Sequence, residues 1–307
     1  MIPLFNIENY VIDTSKFDHA LHDSGVLKFE ESFAEYVGAR YACSVNSATS
    51  AIFLIFLNKN IKVNVPSIIP PVVLNALYNA GNTINFVDNV DWVGDSYILH
   101  EFADYKVIDS AQKVKPNQFQ LEANPNDLML FSFYPTKPVG SLDGGMIVSN
   151  DYEKISYFKE AVMNGMSYNH NNWDRRIKFP GWKMYLNSFQ AAIAAENLKK
   201  LPNKLEHLEY VRDFYNAEFG LNNNSDHLYR IEVSNNAEVI AALEEVGISC
   251  GIHYAAMHLH PVYGTISESD CPRSEKIEKS TLSIPFNEKL TKKNLQDVVK
   301  HVRGWMV

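Results

Sequence analysis

Phe131-Ser132-Phe133-Tyr134-Pro135-Thr136-Lys137-Pro138-Val139-Gly140-Ser141-Leu142-Asp143-Gly144-Gly145-Met146-Ile147-Val148-Ser149 decides the reading of this chain. The apolar residues at its two ends have the composition of buried strands. Between them one lysine sits in a loop bracketed by Pro135 and Pro138, and a Gly-Gly turn follows. A lysine fixed at the end of a strand and partly removed from water loses its proton more readily than a solvated one, and its free amine attacks aldehydes. Residue type alone favours the opposite view, a solvated surface lysine, because lysines are mostly exposed. The rest of the chain has to decide.

On both sides of this stretch helical and strand patterns alternate. Residues 29–36 have amphipathic helical spacing, 41–45 read as a strand, 50–57 as a buried helix and 63–65 as a strand. Residues 72–80 form a helix ended by Gly81, 83–87 a strand, and 106–108 a short strand that delivers Asp109 at its carboxyl end. This order predicts a layered α/β sheet, the kind that offers ligand groups at the carboxyl ends of its strands. From 187 to about 219 the spacing is that of one long helix or two, with Pro202 expected to break or kink it. A strand over 227–233, a helix over 237–246 closed by Gly247, a strand over 248–252 and a helix over 291–302 then predict a small α+β unit. The expected division is a large α/β domain over 1–203 and a small C-terminal α+β domain over 204–307.

With 307 residues, 46% of them hydrophobic and 21% charged, the chain has material for a substantial core. Its formal net charge of −8 carries no basic run or arginine stripe, which argues against a nucleic-acid partner while leaving room for an anionic small molecule in a pocket. Three scattered cysteines, Cys43, Cys250 and Cys271, make neither a disulfide framework nor a C-x-x-C metal site. No apolar run approaches the roughly 18 residues of a membrane span, and the expectation is a soluble, cytoplasmic protein.

The stretch around Lys137 resembles the S-F-H-x-x-K-x-x-x-x-G-E-G-G segment of the nucleotide-sugar aminotransferases, the DegT-like branch of the fold-type-I pyridoxal-phosphate (PLP) enzymes. Other stretches match in the same order: residues 29–38, Val45-Asn46-Ser47-Ala48-Thr49-Ser50-Ala51, Val107-Ile108-Asp109-Ser110-Ala111-Gln112, Gly181-Trp182-Lys183 with Gln190-Ala191-Ala192, and 253–263. The resemblance covers nearly the whole chain. It implies an aspartate aminotransferase-like fold, with a three-layer α/β/α large domain and a small α+β C-terminal domain. It also implies that Lys137 holds PLP as a Schiff base and later moves a proton, that L-glutamate donates the amino group, and that a nucleotide-linked keto-sugar accepts it. Sites shared between two subunits, hence a homodimer, follow from the same resemblance.

Residue by residue, the resemblance pairs Asp109 with the pyridine nitrogen of PLP, where an anion favours the protonated ring; an Asp after a strand can equally cap a turn. It places Gln112 on the cofactor's phenolic oxygen. Ser47-Ala48-Thr49, with Ser132, become the phosphate cradle at a helix N-terminus, a place where Ser47 or Thr49 is also a natural N-cap. Lys183 stands where relatives have an Asn that reaches the phosphate of the neighbouring subunit. His253, Tyr254 and His258 lie on a segment that lines the substrate mouth. His253, His258 and His260 lack the carboxylate or cysteine that would complete a metal site, so no metal is expected.

Three departures stand out. Pro70 occupies the place of an aromatic that stacks on the pyridine, Tyr185 the place of an Arg, and residues 88–105 form a shortened link where relatives carry a further strand and helix. The donor's carboxylate is left to Arg175, Arg176 or Arg230, with nothing in the sequence to choose between them. These departures motivate an alternative, a catalytically idle PLP-fold protein acting as a binding or regulatory partner. A PLP-dependent sugar dehydratase ranks lower, because such relatives replace the lysine with histidine and Lys137 is present. A bare Rossmann dehydrogenase is a further option, but no G-x-G-x-x-G follows the first strand.

Overall fold

A computed structural model of the chain describes residues 1–169, 172–264 and 269–307, with backbone alone at 168, 169 and 172–175. The opening segment of the chain leads into α1 (Gly25–Val37), β1 (Tyr41–Val45), α2 (Ala48–Phe56), β2 (Lys62–Pro66), α3 (Pro71–Asn79) and β3 (Thr83–Val87). There follow β4 (Tyr97–Glu101), β5 (Lys106–Asp109), α4 (Gln118–Glu122), β6 (Leu128–Ser132), β7 (Gly145–Ser149), α5 (Tyr152–Ala161), β8 (Met166–Asn169) and β9 (Asn172–Ile177). The chain closes with α6 (Ser188–Phe219), β10 (Tyr229–Glu232), α7 (Asn236–Glu245), α8 (Pro272–Ser280), β11 (Thr281–Ile284) and α9 (Lys292–Val302).

The two strands flanking Lys137, β6 and β7, are buried at every residue and pair antiparallel near the centre of a mixed sheet ordered β1-β7-β6-β5-β4. Strand alternation sends their side chains to opposite faces. Leu130 and Ile147 enter a core with Ile52, Ile55 and Leu74 of α2 and α3, whereas Met129, Phe131, Met146 and Val148 enter a second core with Phe29 and Phe33 of α1 and Ala194 and Leu198 of α6. The sheet is therefore the middle of three layers. On the second face the rings of Phe33 and Phe131 meet edge-on at 4.9 Å, and burial of each such ring contributes about 1.5–3 kcal/mol before entropy is charged against it. A third core joins Leu208, Val211 and Tyr215 of α6 to β10, β11, α7 and α9.

Strand directions decide where chemistry can sit. β5 and β6 run parallel, β7 runs opposite to both, and β1 runs opposite to β7, so the carboxyl ends of β1, β5 and β6 lie on one edge. Val45, Asp109 and Ser132 come out on that edge, with the start of β7 at Gly145 between Val45 and Ser132.

Of the two readings left open for 187–219, the structure has the single helix, α6, which runs across Pro202 without ending there. α4, β8, β9 and α8 had no counterpart in the sequence reading. Residues 248–252 form no strand: Ile248 bridges to Ile2 and Gly251 to Ser283. The short link over 88–105 keeps a strand of its own, β4, which pairs antiparallel with β5 at the sheet edge.

Candidate active site

Lys137 emerges from a loop fixed from several sides. Its own N–H donates to the Tyr134 carbonyl at 2.9 Å, and the Ser141 N–H donates to Phe133 at 2.8 Å. From α6, Asn197 Nδ2 donates to the Gly140 carbonyl at 2.6 Å and Lys204 Nζ to the Pro138 carbonyl at 3.2 Å. The lysine's amine lies 3.5 Å from His227 Nε2. Burial pushes the Lys137 amine down to about 8, with the Asp109 carboxylate opposing the shift. A surface lysine would not behave so.

Asp109 is 5% exposed, accepts from the Ala111 N–H at 2.9 Å and from the Tyr97 hydroxyl at 3.1 Å, and makes no salt bridge at 4 Å or less among the described residues. Burial raises its pKa, and the two donors and Lys137 oppose the rise. A carboxylate with two fixed donors and no direct cation is suited to receive a protonated ring nitrogen. Gln112 accepts the Gly94 N–H at 2.8 Å and donates to the Tyr254 hydroxyl at 3.1 Å. Tyr254 stacks on Trp92, their planes 8° apart, and Trp92 packs 4.5 Å from Tyr97. Pro70 holds no aromatic place; it precedes α3 as its N-cap, and the aromatic wall beside Asp109 comes from Trp92, Tyr97 and Tyr254.

At the same edge α2 begins. Ser47 caps it by accepting the Ser50 N–H, and the Ser47 carbonyl takes the Ala51 N–H. The N–H groups of Ala48 and Thr49 are left without an acceptor among the described residues, as the first turn of a helix requires. Gly145 keeps them open: a Cβ there would lie 2.7 Å from the Ala48 nitrogen. Ser132 pairs with Gly145 across the sheet, so its hydroxyl borders the same anion cradle. The site thus fits PLP on three independent counts, an open helix N-terminus, a buried carboxylate and a desolvated lysine.

The other expected residues are distributed unevenly. Lys183 is exposed, although its neighbour Met184 binds the Asn46 N–H beside the cradle at 2.7 Å. Tyr185 lies against His22, ring centres 4.5 Å apart. His253 faces the lysine side of the cleft, bonds Ser283 Oγ through Nδ1 at 2.9 Å, and is pushed down to about 4 by burial, then by the Lys137 and Arg230 charges. His258 is elsewhere: it is 8% exposed, with Nδ1 on Ser67 Oγ at 2.6 Å and Nε2 3.5 Å from Glu275. Ser67 is fully buried, so this Ser-His-Glu row pins the 253–263 segment to the end of β2. Of the three candidate arginines, the Arg175 side chain lies outside the described residues, Arg176 is exposed, and Arg230 reaches the cleft wall beside Tyr254. Among the described residues no group of three or more His, Cys, Asp or Glu could hold a metal, and no helix is long and apolar enough to cross a membrane.

Sequence reasoning missed His227, Phe5, Trp92, Tyr97 and Lys204. Phe5 stacks on His227 at 5.4 Å and meets His253 edge-on at 5.8 Å, so the N-terminal segment roofs the lysine. Asn6 next to it donates to Glu288 at 2.7 Å, and Glu288 lies 3.8 Å from Lys204.

This geometry defines a fold-type-I site of the kind that PLP-dependent aminotransferases use. The chain belongs to the DegT/DnrJ/EryC1/StrS aminotransferase family, whose model matches residues 6–93 and 122–303. The unmatched gap contains β4 and β5, and with them Asp109 and Gln112. The chain is 27% identical over 344 residues to the spore coat polysaccharide biosynthesis protein SpsC of Bacillus subtilis, covering 91% of this chain and 88% of that one. It is 27% identical over 326 residues to a UDP-4-amino-4,6-dideoxy-N-acetyl-beta-L-altrosamine transaminase of Campylobacter jejuni, covering 88% and 86%. Among solved structures it resembles Helicobacter pylori PseC, an aminotransferase involved in the biosynthesis of pseudoaminic acid, with a TM-score of 0.78, 19% identity and 98% of each chain covered.

Proposed function

We propose that this protein is a PLP-dependent aminotransferase that moves an amino group from L-glutamate to a nucleotide-linked keto-sugar, working as a homodimer with shared sites. The observation that carries the reading is the desolvated Lys137 amine, lowered to about 8, across the cleft from the buried Asp109. The relatives named for a UDP-linked amino sugar and for spore coat polysaccharide support the substrate class.

When bound, PLP supplies an electron sink for the carbon that gains or loses the amine. Asp109 would hold the ring N–H, Gln112 with Tyr254 the phenolic oxygen, and the Ala48 and Thr49 N–H groups with the Ser47 and Ser132 hydroxyls the phosphate. Lys137 Nζ, neutral in a sizeable fraction near pH 8, takes and returns the proton at the reacting carbon. His253 and Tyr254 form the wall that the sugar meets, and His258 holds that wall in place. Phe5, stacked on the His227 that meets the amine, keeps water from it.

The test is the visible absorption of the protein with added PLP, before and after L-glutamate, beside Lys137→Ala. A band that requires Lys137 and fades with glutamate is expected. A band indifferent to Lys137 would leave the idle binding protein as the better reading.

A further inference from the structure

Arg230 is a cation held in the cleft wall without an anion. Within β10 its neighbours Tyr229 and Ile231 are buried in the small core, so strand alternation turns Arg230 to the opposite face. Across the ladder it pairs with Ser283, whose hydroxyl holds His253 at 2.9 Å. The other acidic side chain on its face, Glu232, is taken by Lys276 at 2.6 Å. Asp91, the carboxylate nearest in effect, is engaged by Arg273 at 2.9 Å. The Arg230 guanidinium has no hydrogen bond or ion pair among the described residues, although burial already pulls its pKa below the usual value. Leaving a guanidinium desolvated and unpaired is costly, and a ligand anion relieves the cost.

Two anions could arrive, the donor's carboxylate and the acceptor's diphosphate, and bond counting separates them. A donor's α-carboxylate is one bond from the carbon that reacts beside Lys137, whereas the diphosphate of a nucleotide sugar lies several bonds from its keto carbon. Arg230 is tied to the reacting side by contacts: its ladder partner Ser283 bonds His253 at 2.9 Å, and Phe5 packs on both His253 and His227, whose Nε2 is 3.5 Å from the Lys137 amine. The planar fork of arginine also matches a carboxylate edge-on with two parallel bonds. The geometry points to Arg230 as the residue that takes the donor's carboxylate in this chain. This rests on the aminotransferase reading above.

Calorimetry on the PLP-loaded protein tests it with two probes, glutarate for the donor's carboxylates and inorganic pyrophosphate for the nucleotide. Arg230→Gln should weaken glutarate by about 10- to 150-fold and leave pyrophosphate within about twofold, as expected for one lost charge-assisted pair. Arg230→Lys, which keeps the charge and loses the fork, should fall between. Melting temperatures of both variants should not drop, because no native partner is orphaned. Unchanged glutarate binding, a wild type that binds no glutarate, or a loss confined to pyrophosphate would each overturn the assignment. Arg230-dependent glutarate binding without amine transfer from L-glutamate would instead sink the aminotransferase reading and leave the anion site standing.

Discussion

Burial lowers the Lys137 amine from 10.5 to about 8 in the folded chain, so between those values the unfolded chain binds a proton that the folded chain lacks. Stability therefore rises with pH across that window, and at pH 7 the folded state carries a charged, desolvated amine. Lys137→Met should stabilise the PLP-free protein at pH 7 by on the order of 1–3 kcal/mol, a gain that vanishes above pH 10.5. Urea midpoints at the two pH values measure it; equal gains at both would refute the desolvation account. The placement of Asp109 at a strand end, Ser47 at a helix start and Lys137 on the loop between two strands was legible in local patterning, whereas Ser132 entered through the resemblance alone. His227 was not legible, since it meets the lysine from 90 residues away and only tertiary packing brings it there. The bond of His258 to Ser67 was hidden for the same reason, since its partner lies 191 residues earlier.

β1 and β3 were read to the residue, β3 from positions that alternate cleanly and β1 from a short run buried at all but its first residue. Failures came where the backbone divides its bonds. The Ser249 N–H goes to Ile2 and the Gly251 N–H to Ser283, so an apolar run that looks like a strand serves two neighbours and joins neither as a ladder. Pro202 forfeits a bond on an exposed face of α6, while buried Leu198, Leu201 and Leu208 hold the helix on both sides of it. At the junction of β7 with α2, the missing side chain of Gly145 matters most. Gly145→Ala would press a methyl against the Ala48 nitrogen and the Phe131 carbonyl, the latter at 2.9 Å. PLP affinity should fall at least about tenfold, while pyridoxal, which lacks the phosphate, should bind nearly as before. An equal loss for both aldehydes would locate the damage in strand pairing.

For the molecule as a whole, we place the division between large and small parts inside α6, where burial against the sheet helices ends at Leu201 and burial against β10 and β11 begins at Leu208. The resemblance that gives Lys183 to the neighbouring subunit's phosphate leads us to predict a two-fold assembly, and Lys183 is exposed as that role requires. Sedimentation should give a dimer at micromolar concentration. If Lys183→Ala and Lys137→Ala are each inactive, their mixture should regain activity, because one of the two hybrid sites then has both lysines; a silent mixture would place Lys183 in its own subunit's site. The unbroken helix has a mechanical consequence. At 1.5 Å per residue its 32 residues make a rod of about 48 Å anchored in both parts, and Lys204 midway along it grips the carbonyls of the lysine loop. Any swing of the small part that widens the cleft is thereby geared to the reacting amine, so that admitting a bulky sugar and re-aiming Lys137 become a single lever stroke.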